Sequence, residues 1–386
     1  MRLNNLRTPC AVIDLERLER NARVMSERVN RLGVRLRPHV KTHKCVEVAA
    51  CSTRAYDAAV SALGETVYGP ITVSTMAEAC HFAVHGFSDI TWAQPINPHR
   101  IEEAFVLMDQ VERLNLLVDS HGAIDALEDY ARRAGQTYSA YLKVDVGYGR
   151  AGVDPRSQLG VDLASRLQNS SMANFEGVLT HAGQAYSCRT RDEIKAVAVH
   201  ERDEIVGFAE RLRASGISVP EVSLGSTPTL SVAEDLTGIT EVRPGNYLFY
   251  DRYQSAIGAC NDDDIAFSVL TTVIGCYPER AGLVLDAGAL ALSKDPGAVH
   301  VDPDCGYGMV TTADGAQPFE ALSLVSLSQE HGQVTVRAPL KASDFPVGTQ
   351  LRVFPNHSCL TAAKYDRYYA VRGGLIVGAW RTARGW

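Results

Sequence analysis

Short apolar runs alternate with longer amphipathic segments over the first 250 residues of the chain. Eight runs have the length and composition of strands, and they lie at residues 34–41, 71–75, 89–94, 114–120, 140–147, 175–183, 221–226 and 240–247. Between them, apolar residues recur at helical spacing, as in "HGAIDALEDYARRAG". Eight strands alternating with helices over about 220 residues predict an α/β fold, a (β/α)8 TIM-type barrel. A doubly wound open sheet is the alternative, but no GxGxxG follows the first strand.

From about residue 255 the pattern changes to short β-type runs punctuated by glycine, such as "FSVLTTVIGCY" and "AGLVLDAGALALS". These runs predict a C-terminal antiparallel β domain. The N-terminal "PCAVIDL" precedes the first helix and the first barrel strand, so we expect it to pair with that domain. The predicted domains are therefore residues 15–254 for the barrel, and residues 1–14 plus 255–386 for a β domain that also carries the metal site considered below.

Charge and composition narrow the classes of partner. The chain of 386 residues has a formal net charge of −7 and no basic run interleaved with aromatic residues, which argues against nucleic acid as a partner. It shows no signal-peptide pattern and no stretch of eighteen apolar residues, so we expect a cytoplasmic protein without a membrane partner. Nine cysteines without CxxC spacing indicate reduced thiols rather than a disulfide framework.

Polar residues follow the predicted strands at the end where a barrel builds its active site. Lys41 of "RPHVKTH" follows the first strand, Arg150 the fifth and His181 the sixth. Ser226 of "GSTPT" follows the seventh strand, and Gly245 of "RPGNY" belongs to the eighth. We therefore expect these residues on the same rim of the barrel.

The residue types on this rim suit a phosphorylated cofactor. Hydroxyls and unobstructed backbone N–H groups are the donors that a phosphate monoester needs, and the rim offers them at Gly225, Ser226, Thr227 and Gly245. Arg150 and Arg243 supply cations for a phenolate or a carboxylate, and the amine of Lys41 can bond covalently to an aldehyde. Taken singly, a glycine after a strand is usually a turn residue, and a Ser/Thr pair is usually a helix cap. The presence of all these residue types on one rim favours a cofactor site.

Seven stretches carry a resemblance to a known family, namely "TPCAVIDLERLERN", "RPHVKTHK", "TVSTMAEA", "DVGYGRAGV", "RPGNY", "LSQEHG" and "PNHSCLTAAKYD". The chain resembles the alanine-racemase-fold (fold-type III) pyridoxal-phosphate enzymes. Within them it is most similar to the D-serine dehydratase and D-threonine aldolase family. The resemblance runs from about residue 7 to the C-terminus.

The resemblance implies roles for individual residues. Lys41 becomes the lysine that holds pyridoxal 5'-phosphate and the base that removes the α-proton. Arg150 is implied near the phenolic oxygen and Tyr186 near the pyridine nitrogen, with Arg243 as the rival for the latter contact. The implied phosphate-binding residues are Gly225, Ser226, Thr227, Gly245 and Asn246, and His181 is counted with the cofactor-binding residues of the rim. Either His39 or His43, beside the lysine, is expected to assist the reaction.

His357 and Cys359 in "PNHSC" are the predicted metal ligands. They are two residues apart, so on a β-type segment their side chains would point to the same face. A His/Cys pair favours Zn²⁺. An arbitrary HxC is usually a buried histidine and a buried thiol, and here the surrounding match reverses that interpretation. The dehydratases that the chain resembles use H-x-C with zinc, whereas the aldolases carry H-x-D and use Mn²⁺ or Mg²⁺.

The sequence thus predicts a pyridoxal-phosphate- and metal-dependent lyase acting on 3-hydroxy-D-amino acids. A dehydratase of D-serine or 3-hydroxy-D-aspartate, giving a 2-oxo acid and ammonia, is the leading hypothesis. The alternatives are an aldolase that gives glycine and an aldehyde, an amino-acid racemase, and a non-catalytic pyridoxal-phosphate-binding protein. The resemblance also implies a homodimer.

Overall fold

The structure is a computed structural model that describes residues 2–60 and 68–386, with the backbone alone for residues 54–60. The chain forms two compact units. The barrel unit comprises Arg23–Lys41, Ser52–Gly245 and Ala383–Trp386, and the β unit comprises Met1–Ala22, Thr42–Cys51 and Asn246–Thr382. The domain boundaries given by the sequence pattern stay a prediction.

The described residues contain seventeen strands: β1 (Cys10–Asp14), β2 (Arg35–Leu36), β3 (Ile71–Val73), β4 (Asp89–Pro95), β5 (Arg113–Val118), β6 (Tyr138–Lys143), β7 (Ala173–Leu179), β8 (Glu221–Leu224), β9 (Glu241–Val242), β10 (Phe267–Tyr277), β11 (Gly282–Leu285), β12 (Met309–Thr312), β13 (Pro318–Leu327), β14 (Gly332–Val336), β15 (Gln350–Phe354), β16 (Arg367–Arg372) and β17 (Leu375–Arg381). The α-helices in the same residues are α1 (Leu15–Arg31), α2 (Val46–Val60), α3 (Met76–Val84), α4 (Ile101–Met108), α5 (His121–Ala134), α6 (Gln158–Asn169), α7 (Arg191–Ala214), α8 (Thr227–Val232), α9 (Arg252–Ala256), α10 (Ala289–Leu292) and α11 (Ser358–Ala362).

The barrel unit contains a parallel sheet in the order β2-β9-β8-β7-β6-β5-β4-β3. The backbone N–H of Thr72 donates to the carbonyl of Pro38 (2.8 Å), and a parallel bridge joins His39 to Thr72, so the two outer strands meet. The predicted (β/α)8 barrel is confirmed. Strands β2 and β9 have only two residues each because the runs that contain them continue into Pro38 and Pro244, which have no N–H to donate to a ladder.

Helix α5 illustrates how the sequence sets the helical layer. The Ser120 hydroxyl caps its first turn by accepting from the N–H of Ala123, and the helix ends at Gly135, whose φ of 67° is left-handed. Its buried residues are Ile124, Leu127 and Ala131, spaced by three and four as a helix with one apolar face requires.

A buried ion pair lies inside the barrel below the strand ends. The Arg37 guanidinium is 1% exposed; it contacts Glu241, itself 0% exposed, at 2.7 Å and Asp89 at 2.6 Å. The other oxygen of Glu241 accepts from the Ser223 hydroxyl at 2.9 Å. Both charged side chains are buried away from water. Removing one of them would therefore leave the other as a buried charge without an opposite charge beside it.

We predict that Arg37→Met destabilises the protein by about 3–5 kcal/mol, the usual cost of breaking a buried pair. The matched control is Arg113→Met, because Arg113 contacts Glu176 at 3.7 Å and nearly half of its side chain (46%) is in solvent. The control should cost no more than about 1 kcal/mol. Urea unfolding of the two variants measures the difference, and equal losses would contradict the prediction.

The β unit contains a nine-stranded sheet in the order β11-β14-β13-β12-β15-β10-β1-β16-β17. A further pairing of β11 with β10 closes the first six of these strands into a barrel. Strand β1 pairs antiparallel with β10 and parallel with β16, so the expected pairing of the N-terminal segment with this sheet is confirmed. The core of the unit includes the buried side chains of Leu285, Leu324 and Val353. The predicted antiparallel β domain is confirmed.

Two further sequence expectations concern thiols and membranes. All nine cysteines are free thiols, as their spacing predicts. In the part of the chain that the structure describes, none of the helices combines the length and the apolar character needed to cross a membrane.

Candidate active site

The barrel unit gathers positive charges at its strand ends. Lys41 lies in the 3-10 turn Val40–Thr42 that follows β2, and its charge acts on both His39 and His181. The charges of Lys143 and Arg150 also lower the pKa of His181, and the charge of Arg243 lowers that of His39. We call Lys41, Lys143, Arg150 and Arg243 the cationic cluster.

His181 is held as a neutral ring in this cluster. Burial, followed by the charges of Lys41 and Lys143, lowers the pKa of His181 well below its usual value. Its Nδ1 lies 3.1 Å from the carbonyl oxygen of Gly225. A carbonyl only accepts, so Nδ1 carries the proton and Nε2 is left as an acceptor. The ring therefore adds a hydrogen-bond acceptor to the rim without adding a further positive charge.

His39 and Gly245 lie where the barrel closes. The His39 N–H donates to the carbonyl of Pro244 (2.9 Å), and a Cβ at residue 245 would lie 2.7 Å from the His39 carbonyl oxygen. Only glycine fits that approach. Burial, followed by Lys41 and Arg243, lowers the pKa of His39 well below its usual value. The contacts of both residues explain barrel closure, and their roles in catalysis and cofactor binding stay predictions.

The segment from Gly225 to Thr227 forms the start of helix α8. The Ser226 hydroxyl accepts from the N–H of Thr229 (3.3 Å) in a capping box, and Thr227 is buried. Gly225 has a left-handed φ of 121°, and its N–H donates to the Glu201 carboxylate (3.2 Å). These are the turn and cap contacts that such residues ordinarily make, so phosphate binding here stays a prediction.

Glu201 is a rim residue that sequence reasoning missed. One of its carboxylate oxygens accepts from the N–H groups of Ala182 (2.9 Å) and Gly225 (3.2 Å), which joins the loop after β7 to the loop after β8. Burial raises its pKa. A signal was present, because α7 has a buried stripe at helical spacing and a carboxylate occupies one position of it: Ile194, Ala198, Glu201, Ile205, Phe208 and Leu212.

Lys143, the last residue of β6, was also missed. Its side chain is buried, and burial, followed by the charges of Arg243 and Arg150, lowers its pKa to about 7. Glu201 and Asp145 oppose that shift. The signal was a cation inside the apolar run "AYLKVDV", where an inward-facing charge needs a functional or structural reason.

The cationic cluster fits pyridoxal phosphate. The cofactor brings a phosphate and a phenolate, and an amino-acid substrate adds a carboxylate, so several negative charges would meet the four cations. Burial is the main cause of the lowered pKa values of Lys143, His39 and His181, and the crowding of neighbouring positive charges lowers them further. An anionic ligand relieves that crowding.

Lys143 gives a pH-dependent prediction for the cofactor-free protein. Its folded pKa of about 7 lies below the ordinary value of 10.5. The unfolded chain therefore binds more protons between these values, and wild-type stability rises with pH across this window and is lowest below it. We expect Lys143→Met to raise the melting temperature at pH 6 by about 2–5 °C, and the gain to shrink towards pH 10.

Thermal unfolding at several pH values measures this gain. Lys143→Arg is the control, because it keeps a buried cation and should not stabilise. A gain for Lys143→Met that stays constant from pH 6 to pH 10 would contradict the charge-based explanation.

In the β unit, His357 and Cys359 do not lie on a β-type segment, so that expectation is wrong. Strand β15 ends at Phe354, and His357 is the N-cap of α11 with an extended backbone (φ −134°, ψ 100°). The chain turns into a helix here because the Asp251 carboxylate accepts from the N–H of Ser358 (2.9 Å). The extended histidine and the first helical turn still bring the two side chains within hydrogen-bonding reach of each other.

The surroundings of this pair suit a divalent metal. Nδ1 of His357 lies 2.9 Å from a carboxylate oxygen of Asp295, and Sγ of Cys359 lies 3.2 Å from the Thr42 hydroxyl. Burial lowers the pKa of His357, but the bonds to Asp295 and Cys359 outweigh it and raise the pKa to about 11. Imidazole nitrogen and thiolate sulfur are ligands that zinc prefers. Within the described residues no group of three or more His, Cys, Asp or Glu side chains is arranged to hold a metal ion, so the pair itself is the candidate.

The remaining predicted residues have other surroundings. The Asn246 side chain donates to Asp251 and to Ser358, both at 2.9 Å, which places it beside α11. His43 is buried in the β unit against Phe249 (6.0 Å between ring centres), and burial lowers its pKa to about 3. Tyr186 is half-buried in the 3-10 turn Gly183–Ser187. For all three, the predicted roles stay untested by these contacts.

Two family models match the chain, and several known proteins are similar to it over its whole length. The model "Alanine racemase, N-terminal domain" matches residues 13–253, and "Putative serine dehydratase domain" matches residues 266–371. D-threo-3-hydroxyaspartate dehydratase of Delftia sp. (strain HT23) is 39% identical over 100% of this chain and 99% of that protein. The chain belongs to the serine dehydratase family of alanine-racemase-fold enzymes.

Further relatives are similar to the chain over nearly its whole length. D-serine dehydratase of Dictyostelium discoideum is 34% identical over 100% of this chain and 98% of its own length. D-threonine aldolase of Arthrobacter sp. is more distant, at 29% identity over 98% of this chain and 93% of its own length. The solved Delftia dehydratase superposes with a TM-score of 0.92 at 39% identity, covering 100% of both chains. Solved variants of D-threo-3-hydroxyaspartate dehydratase include a histidine-to-alanine exchange and, two positions further on, a cysteine-to-alanine exchange in the metal-free form.

These comparisons confirm the predicted family, the fold class and the assignment to the lyases. They also support pyridoxal phosphate as the cofactor.

Proposed function

We propose that this chain is a zinc-assisted, pyridoxal-phosphate-dependent dehydratase of 3-hydroxy-D-amino acids, with D-serine or 3-hydroxy-D-aspartate as substrate and a 2-oxo acid and ammonia as products. The observation that carries the proposal is the presence of both donor sets that the reaction needs. The cationic cluster with Lys41 suits the cofactor, and the contacting pair of His357 and Cys359 suits a metal.

Lys41 is the proposed cofactor lysine and the base that takes the α-proton. Pyridoxal phosphate, when bound, supplies an electron sink for the charge that develops at Cα. His181 stays neutral beside Lys41, so its Nε2 can accept a hydrogen bond there without adding charge. The other cations of the cluster would hold the negative groups of cofactor and substrate.

Arg150 is the proposed neighbour of the phenolic oxygen, and Tyr186 or Arg243 that of the pyridine nitrogen. Support for Arg243 comes from its rigidity. Its Nε donates to the Ser223 hydroxyl at 2.8 Å, and its Nη2 donates to the carbonyl of Thr180. A guanidinium fixed in this way keeps one orientation toward a ligand.

Gly225, Ser226, Thr227, Gly245 and Asn246 remain the proposed phosphate-binding residues. The N–H of Gly225 already donates to Glu201, so it is not the donor to the phosphate. Gly225 would contribute to phosphate binding through the shape of the turn. Glu201 supports the set by joining the loops that begin after β7 and β8.

His357 and Cys359 are the proposed zinc ligands. A metal held by them, when bound, acts as a Lewis acid that assists the departure of the 3-hydroxyl. The Thr42 hydroxyl at 3.2 Å would orient the Cys359 sulfur. The solved variants of D-threo-3-hydroxyaspartate dehydratase support the pair, because they exchange a histidine and a cysteine with the same spacing and one is named as metal-free. Mn²⁺ and Mg²⁺ are the alternatives to zinc.

An aldolase is the second candidate, favoured by the match to D-threonine aldolase over 98% of the chain. The same lysine and metal would then serve to cleave Cα–Cβ, giving glycine and an aldehyde. The cysteine at residue 359 supports the dehydratase, since the resemblance assigns H-x-C to dehydratases and H-x-D to aldolases.

A product assay tests the proposal. The purified protein is incubated with D-serine, D-threonine and 3-hydroxy-D-aspartate, with and without zinc or manganese, and 2-oxo acid, ammonia and glycine are measured in parallel. Zinc-stimulated 2-oxo acid and ammonia are the expected products. Glycine with an aldehyde would establish the aldolase instead, and the absence of all products would refute both.

We also propose a cytoplasmic homodimer. The nine free thiols support a reducing compartment, and the resemblance supports the dimer. Sedimentation equilibrium at micromolar concentration should give twice the mass of 41.9 kDa, and a monomer mass would refute the dimer.

A further inference from the structure

A loop between α10 and β12 lies against the segment that carries His357. Its residue Asp295 places a carboxylate oxygen 2.9 Å from Nδ1 of His357, and the Asp295 side chain is only 18% exposed. The sequence pattern gave no reason to single out this aspartate, because "SKDPGAV" has no spacing that pairs it with a residue sixty positions away.

Several contacts hold the loop at this place. The other Asp295 carboxylate oxygen accepts from the N–H of Gly297 (2.8 Å). The Asn356 side chain, one residue before His357, donates to the carbonyls of Asp295 (3.2 Å) and Gly306 (2.8 Å). Gly297 has a left-handed φ of 75°, and a Cβ there would lie 2.7 Å from the Asn356 amide. Both oxygens of the Asp295 carboxylate are thus held, one by the N–H of Gly297 and the other by the His357 ring.

A second bond joins the same two segments further along. The Thr361 hydroxyl in α11 donates to the carbonyl of Leu292 at 2.7 Å. Asp295 and His357 therefore lie in two segments that are pinned together on both sides of the carboxylate–imidazole contact, and their separation does not depend on that contact alone.

We infer that Asp295 is a positioning residue, which fixes the His357 tautomer with the proton on Nδ1 and so presents Nε2 as the metal-ligating nitrogen. A carboxylate accepts from Nδ1–H, so the proton that a metal displaces is the one on Nε2, and the ligating lone pair lies there. The same bond sets the ring plane and raises the basicity of the ligating nitrogen. This inference rests on the proposed metal site and adds a residue that acts through a ligand.

Zinc affinity is the direct readout, measured by competition with a chromophoric chelator on the full chain. We expect Asp295→Ala to weaken zinc binding about 10- to 100-fold, the usual effect of losing the partner of a ligating histidine. Asp304→Ala is the matched control, because it removes the same charge from an exposed position of the same loop. It should bind zinc as the wild type does. Asp295→Asn should lie between, because its amide offers one oxygen where two donors now bond.

Three readouts separate the outcomes. The thermal stability of the metal-free variants and the absorbance of the bound cofactor should stay at wild-type values, which a merely structural role of Asp295 would not allow. Zinc binding by Asp295→Ala within twofold of wild type would overturn the inference, provided that His357→Ala loses affinity. If His357→Ala and Cys359→Ala also bind zinc normally, the proposed metal site itself fails.

Discussion

Replacing Lys41 with alanine is expected to abolish both turnover and the absorbance of the lysine-bound cofactor. The reason is that an amine at this place has two roles in the proposal, the covalent hold on the cofactor and the transfer of the α-proton. Loss of the base alone costs about 10²- to 10⁴-fold, so the combined loss should reach at least the upper end. Absorbance spectra of the reconstituted protein and a product assay on D-serine measure the two effects.

Two lysines serve as controls for this result. Lys44→Ala changes a neighbouring lysine of the same segment and should keep both absorbance and turnover. Lys143→Met removes the other buried amine of the cationic cluster and should keep the lysine-bound absorbance, whatever it does to the rate. If the absorbance survives Lys41→Ala and disappears with Lys143→Met, the cofactor lysine has been assigned to the wrong strand.

Cys359→Ala is expected to separate the metal from the cofactor. The variant should keep the cofactor absorbance, because its lost ligand belongs to the metal pair. Zinc-dependent turnover should fall about 10²- to 10³-fold, the scale of a lost Lewis acid. Turnover is measured against added zinc after removal of bound metal with a chelator.

Two control variants accompany Cys359→Ala. One tests the loss of a thiol elsewhere in the β unit, and the other tests the type of metal ligand at residue 359. Cys276→Ala removes another partly buried thiol of the β unit, outside the loop that carries Asp295, and should leave zinc dependence unchanged. Cys359→Asp keeps a ligand but makes it harder, so activity should shift its preference from zinc toward manganese. Full activity of Cys359→Ala after chelation would refute the metal pair.

The barrel was predictable because its strands are buried on both faces and are separated by helices with clear apolar spacing. Strands β3 and β8 fall inside the predicted runs for this reason. The lengths of β2 and β9 were less predictable, since Pro38 and Pro244 have no N–H to donate although single backbone bonds continue past the assigned strand ends. The ends of the strands could still be located from the sequence, so Lys41 and His181 were expected on the same rim. In the structure the charge of Lys41 does act on His181.

The metal pair was found for a partly wrong reason. His357 and Cys359 were placed on a strand, but the Asp251 carboxylate caps the chain into a helix after His357. Such a long-range cap leaves no local signal in "PNHSC". Asp295 could not be predicted from the sequence either, because only the fold brings it close to His357. Glu201, by contrast, was visible as a carboxylate on the buried stripe of α7.

The division of labour between Lys41 and the pair of His357 and Cys359 is best tested with metal-free protein in deuterated water. D-Serine is added to the chelator-treated, cofactor-loaded enzyme, and NMR follows its α-proton while a coupled assay follows 2-oxo acid. We expect the α-proton to exchange with solvent although 2-oxo acid formation falls, and zinc to restore product formation. Undiminished 2-oxo acid formation without metal would contradict the proposed role of the metal pair.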